Sequence, residues 1–224
     1  SCAPFGVMGL VFRSISQLGL RSLFSYGRLI LLLVGTMLFV ALVVNPLLAV
    51  LYIRKNPYPL VFRCLWRSGL TAFFTRSSAA NIPVNMKLCQ EMGLDEDTYA
   101  VSIPLGATIN MDGTAIYMGI VTIFAAEIYG MPLPLDQQIS VLLIALLASV
   151  GTMGVPGAAL IMITMVFTQV GIPLEAIALV AGVDRIMDMA RTTINVLGDA
   201  TAAIFISRTE NDFDPQRGAA LQDE

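Results

Sequence analysis

The sequence has no histidine, only three cysteines among 224 residues, and few charges, with Asp, Glu, Lys and Arg together at 13%. A soluble domain of this length ordinarily carries about twice that charged fraction. The lack of histidine removes imidazole acid–base catalysis and the commonest nitrogen ligand for zinc or haem iron. Cys2, Cys64 and Cys89 lie far apart without metal-ligand spacing, so a disulfide framework is also excluded. The net charge of −3 is small and mixed, and no basic block suggests nucleic acid. The chain opens Ser-Cys-Ala-Pro, with neither an initiator methionine nor a signal peptide, and is expected to be a piece of a longer protein.

What the sequence has in abundance is apolar residues, 56% of the total, gathered in long repeated runs. That pattern predicts an all-α integral membrane protein. Residues 1–25 read as the end of a membrane helix and a connector. The apolar run 29–53 is long enough to span with some tilt, and stops at Arg54-Lys55-Asn56-Pro57. Residues 58–92 form two moderately apolar halves, each too short to cross alone, which meet at the polar stretch 75–83. This is the pattern of a re-entrant helical hairpin. A long apolar segment over 99–130 carries Asn110-Met111-Asp112-Gly113-Thr114 at its middle, which predicts a broken helix. Short arms return over 139–172, flanking Gly151-Thr152-Met153-Gly154-Val155-Pro156-Gly157. A polar-striped helix over 174–206 and a disordered tail over 209–224 complete the order. Interrupted segments in corresponding positions point to an inverted-repeat transporter with its site near the bilayer midplane. Arg54, Lys55, Arg63, Arg67, Lys87 and Arg208 fall on one side, while loops 131–138 and 171–175 carry no Lys or Arg. The positive-inside rule then puts the C-terminus in the cytoplasm, although Arg21 and Arg28 lie at the opposite end of the first span.

The strongest chemical signal is the last helix. At about 100° per residue, Asp184, Asp188, Arg191, Thr192, Asn195 and Asp199 share one arc, opposite a face of Ile, Met, Val and Leu. Ionisable groups in a membrane helix face the protein interior or a water-filled path. An anion-binding Arg beside cation-binding carboxylates and an amide suits a zwitterion with an additional carboxylate. The plainer alternative is an ion-pair ladder that only holds helices together. In the broken helix, Gly106 and Gly113 make unwinding plausible. Freed carbonyls with Asn110 and Asp112 offer hard oxygen ligands for sodium. A packing kink would account for the glycines but not for a membrane-embedded Asp. A helix starting after Ser77-Ser78 would offer free N–H groups to a carboxylate, and the glycine-rich second tip suits a gate. Either tip read alone is equally consistent with an ordinary turn.

The NMDGT box and DMARTTINVLGD, with TRSSAANIPVNM and ASVGTMGVPGA, resemble the dicarboxylate/amino acid:cation symporter family over nearly the whole chain. That family contains glutamate transporters, neutral amino acid exchangers and bacterial aspartate symporters. The resemblance implies that residues 26–208 form most of a mobile transport domain that moves elevator-fashion. It also implies a homotrimer for the full-length protein and a place in the plasma membrane, the inner membrane of a bacterium. Carried over by motif, Ser77, Ser78 and Asn195 would hold the substrate α-carboxylate, Asp188 the amino group, and Arg191 a side-chain carboxylate beside Thr114 and Thr192, with Val155 in the closing tip. Co-transported sodium would be held by Gly106, Asn110, Asn195 and Asp199 at one site. Thr108, Met111, Ser149, Val150 and Thr152 would form a second, and Asn110 and Asp112 would contribute to a third. The resemblance thus implies a sodium-coupled symporter of glutamate or aspartate, and not an enzyme. Two features depart from the acidic-substrate pattern, and the first leans toward the alternative, a serine/threonine or other neutral amino acid symporter. The Ser-Ser-Ala-Ala-Asn tip resembles the bacterial serine/threonine branch, and Ala159 stands where a glycine is common. Arg191 leans the other way. A channel lacks a dedicated filter here, and an intramembrane hydrolase lacks a nucleophile.

Overall fold

The computed structural model describes residues 21–53 and 56–210. Every regular element among them is helical. Helix α1 (21–53) joins Arg21–Phe39 to Asn45–Ile53 through a π-helical turn, Val40–Val44. Pro46 has no N–H, so the Leu42 carbonyl one turn back loses its helical donor. The Tyr58 hydroxyl takes over, donating to that carbonyl at 3.3 Å. Leu29, Leu33, Met37, Ala41, Asn45 and Ala49 face inward, every fourth residue, while Leu31, Leu38, Leu47 and Leu51 stay exposed. An apolar helix exposing leucines on its outer face is what a lipid environment favours.

Helix α2 (58–75) contains a second π-helical turn, Leu65–Gly69, and pairs with α3 (Ser78–Glu91). The connection is shorter than the expected 75–83. Arg76 closes α2 in the left-handed conformation (φ 56°), and Ser77 caps α3 by accepting from the Ala80 N–H at 3.1 Å. Asn81, Ile82 and Pro83 lie inside α3. Helix α4 (Glu96–Ile109) leads through Asn110 and Met111 to α5 (Asp112–Ile128). The break falls between the two glycines expected to cause it, because Gly106 and Gly113 are themselves helical. Their role is close approach. A Cβ on Gly106 would sit 2.7 Å from Asp199 Oδ1, and one on Gly113 would sit 2.5 Å from the Arg191 carbonyl oxygen.

A second pair, α6 (Leu135–Val150) and α7 (Ala158–Val170), is joined by a tip in which Met153, Gly154 and Gly157 have positive φ. Among the described residues, Arg76 and Met153 are the non-glycine positions in that region, and each lies at a tip. Helix α8 (Ile177–Thr209), preceded by a 3-10 turn at Leu174–Ala176, runs through the centre and packs on α1 to α5 and α7. Two helical stretches, Gly27–Leu51 (25 residues) and Glu96–Ile128 (33 residues), are long and apolar enough to cross a bilayer. The arms α3, α6 and α7 have 14, 16 and 13 residues. Each falls short of the roughly 20 residues that a perpendicular span requires. Element ends otherwise lie within about one turn of the expected bounds, except that α1 begins earlier, at Arg21. The expectations for residues 1–20 and the tail 211–224 lie outside the described residues.

Candidate functional site

Helix α8 presents its polar stripe to the interior. Asp184, Asp188, Arg191, Thr192, Asn195 and Asp199 are each at most 4% exposed, which groups this costly to bury permit only when they are paired. Arg191 is the hub. Its Nη1 donates to Asp184 Oδ1 at 2.8 Å and its Nε to Asp188 Oδ1 at 3.0 Å. Its Nη2 lies 2.9 Å from that same Asp188 oxygen. The guanidinium carbon stacks over the Tyr117 ring, 4.5 Å from the centroid. The spacing 184, 188, 191 puts both carboxylates on the face of the arginine, one and two turns toward the helix start.

Both tips close on this stripe. The Gly154 carbonyl accepts from the Ser77 hydroxyl at 3.0 Å and from the Ala79 N–H at 3.3 Å, which ties tip to tip. The Gly157 N–H donates to Asp188 Oδ2 at 3.2 Å, and Arg76 Nη1 lies 3.9 Å from that oxygen. The tips, α5 and α8 enclose a small cavity of about 10 Å³ lined by Ser78, Thr114, Val155, Asp188, Arg191, Thr192 and Asn195, with Arg76 and Ala159 beside them. Seven of the eight expected substrate residues therefore meet at one place. The eighth, Ser77, is engaged in capping α3 and tying the tips. The Ser78 hydroxyl is buried without a hydrogen-bond partner among the described residues.

The expected cation ligands separate into groups. Asn110 Nδ2 donates to Asp199 Oδ1 at 2.9 Å and to the Asn195 carbonyl at 3.1 Å, and the missing side chain of Gly106 leaves room for the same Asp199 oxygen. Gly106, Asn110, Asn195 and Asp199 thus lie together as expected. Asn195 knits the two clusters, with Oδ1 accepting from the Gly113 N–H at 2.8 Å and Nδ2 donating to Thr114 Oγ1 at 3.1 Å. Asp112 does not share the small cavity. It is exposed beside Asn45 and Asn110 in a larger one of about 240 Å³ between α1, α5 and α8. Of the under-tip group, Met111 and Thr152 line the small cavity and the Ser149 carbonyl accepts from Thr152 Oγ1 at 2.7 Å. Thr108 and Val150 are exposed. Three charged or aromatic participants stand outside the expected site residues: Asp184, Tyr117, and Arg76, which borders the cavity and pairs with Asp188. Asp184 stands on the polar stripe, so its position was a readable signal. Tyr117 gave none beyond being three residues after Thr114 on the same helix.

Comparison with known proteins fits this geometry. The model of the sodium:dicarboxylate symporter family matches residues 1–209. Two relatives, each named serine/threonine transporter SstT and from Streptococcus agalactiae strains of serotype III and serotype Ia, are 50% identical over 209 residues, 93% of this chain. The chain spans about half the length of these curated relatives, 52% of each. By this match the chain belongs to the sodium:dicarboxylate symporter family.

Proposed function

We propose that the chain is the substrate- and sodium-binding part of a symporter for small neutral amino acids, serine or threonine. The observation that carries this reading is the state of Arg191. Its guanidinium is held by Asp184 and Asp188 and stacked on Tyr117, at 2% exposure. A side-chain carboxylate on the substrate would have to compete with two carboxylates already in place. Arg76, Asp184, Asp188 and Arg191 sum to zero formal charge, which matches a zwitterion without an extra anion. The names of the two relatives point the same way. The acidic reading drawn from Arg191 is set aside, because the residue that suggested it is occupied.

In this reading Asp188 receives the substrate amino group, and Ser78 with the Asn195 amide receives the α-carboxylate. Thr114 and Thr192 face the short side chain, and Val155 belongs to the tip that covers it. Sodium is held by oxygen donors of the Gly106, Asn110, Asn195 and Asp199 cluster, with Asp112 serving a separate ion. Thr108, Met111, Ser149, Val150 and Thr152 lie under the second tip for another. Residues 26–208 act as the mobile domain of a trimeric protein, α2–α3 and α6–α7 are re-entrant, and the C-terminus is cytoplasmic. The test is sodium-gradient-driven serine uptake by the full-length protein in proteoliposomes. Unlabelled threonine should inhibit strongly, and glutamate, aspartate and succinate weakly. Inhibition by aspartate as strong as that by serine would overturn the neutral reading.

A further inference from the structure

We infer that Asp184 is a positioning residue that sets substrate charge selectivity by neutralising Arg191 from behind. The inference rests on the proposed neutral-substrate reading and names the residue responsible for it. Asp184 is absent from the lining of the small cavity, whereas Arg191 and Asp188 are part of it. It therefore acts on a bound molecule through the arginine. Its contact to Nη1, at 2.8 Å, is the shortest of the ion pairs to Arg191, and both partners are almost fully buried, at 2% and 6% side-chain exposure. Such a pair is poorly screened by solvent.

The two carboxylates are not equivalent. Asp188 divides its oxygens, Oδ1 toward Arg191 and Oδ2 toward the Gly157 N–H and Arg76. It borders the cavity and stands beside the second tip, so it is available to a substrate ammonium. Among the described residues, Asp184 forms its ion pair with Arg191 alone. When Asp188 turns to an ammonium group, Asp184 remains to hold the guanidinium and balance its charge. Removing the Asp184 charge changes the four-residue sum from zero to +1 and frees Nη1. A substrate with one more negative charge then restores neutrality.

Asp184→Asn in the full-length protein is the test, with serine and aspartate uptake compared in proteoliposomes. The ratio of aspartate to serine uptake efficiency should rise by about tenfold or more, equivalent to about 1.4 kcal/mol. Asp184→Glu keeps the charge and should keep the wild-type ratio, an outcome that a purely structural role for the residue does not require. If Asp184→Asn fails to give a monodisperse protein, Asp184→Ser replaces it as the neutral variant. A folded neutral variant with the wild-type ratio overturns the inference, as does a Glu variant that shifts the ratio as far as Asn. Wild-type preference for aspartate would instead overturn the neutral-substrate reading, so the two failures are separable.

Discussion

Gly113→Ala tests how closely the broken helix must approach α8. An added methyl carbon would lie 2.5 Å from the Arg191 carbonyl oxygen, 2.9 Å from its Cα and 3.0 Å from its carbonyl carbon. Ordinary carbon contacts are about 3.5–4.0 Å. The nearest atoms are backbone in mid-helix, so no side chain can swing away. The start of α5 must retreat from α8 by roughly 1 Å. That movement would stretch the Gly113 N–H bond to Asn195 Oδ1, now 2.8 Å, beyond useful length. Overpacking of this kind costs about 1–3 kcal/mol, and the lost hydrogen bond adds about 0.5–1.5 kcal/mol. Against this, alanine is favoured over glycine in a helix by roughly 0.5–1 kcal/mol. The expected net loss is thus about 0.5–4 kcal/mol, and Asn195 should lose its fixed orientation toward Thr114 and Asn110. Thermal unfolding of the purified full-length protein and sodium activation of serine uptake would read both effects. Gly35→Ala is the control, since nothing lies within 4 Å of its added carbon. A Gly113→Ala protein that melts and transports like Gly35→Ala would refute the reasoning.

Three further substitutions probe separate parts of the site. Asp199→Asn preserves shape while removing a carboxylate that is 2% exposed and bonded to Asn110. Serine uptake should then require more sodium, and an unchanged sodium activation curve would count against the cluster as a cation site. Ser77→Ala removes both the cap on α3 and the bond to Gly154, at 3.1 and 3.0 Å. The melting midpoint should fall by the equivalent of about 1–2 kcal/mol, with Ser77→Thr largely preserving it. Arg191→Cys leaves Asp184 and Asp188 as facing buried carboxylates, at a cost of about 3–5 kcal/mol. Serine transport should disappear with stability, and a variant as stable as wild type would show that the arginine is not the electrostatic hub.

Much of this arrangement was legible because its causes are local. Apolar run length separated α1 from the short arms. The i, i+4, i+7 spacing placed Asp184, Asp188 and Arg191 on one face before any fold was known. Tip positions followed from Ser, Gly and Pro, although the first tip proved tighter. One left-handed residue, Arg76, reverses the chain, and Ser77 starts the next helix at once. The broken helix was foreseen, but for a partly mistaken reason. Glycine in the sequence makes unwinding plausible, whereas Gly106 and Gly113 stay helical and admit Asp199 and the α8 backbone. That function depends on what crosses from another helix, which a single run of residues does not encode.

Arg191 illustrates the same boundary for chemistry. Sequence spacing says that a guanidinium and two carboxylates share a face, but leaves open whether the charges pair with one another or await a ligand. The difference lies in rotamers and in what covers the stripe. Here the second tip delivers the Gly157 N–H to Asp188 Oδ2, while Asp188 Oδ1 and Asp184 Oδ1 turn to the arginine and Tyr117 supports its flat face. Once all four positions are fixed, the arginine ceases to be a free anion receptor and becomes the counter-ion of its own helix. By the inference drawn above, the same residue types would favour an acidic substrate if Asp184 were neutral. On the proposed reading, substrate charge follows from the charge balance around Arg191 rather than from the presence of the arginine itself.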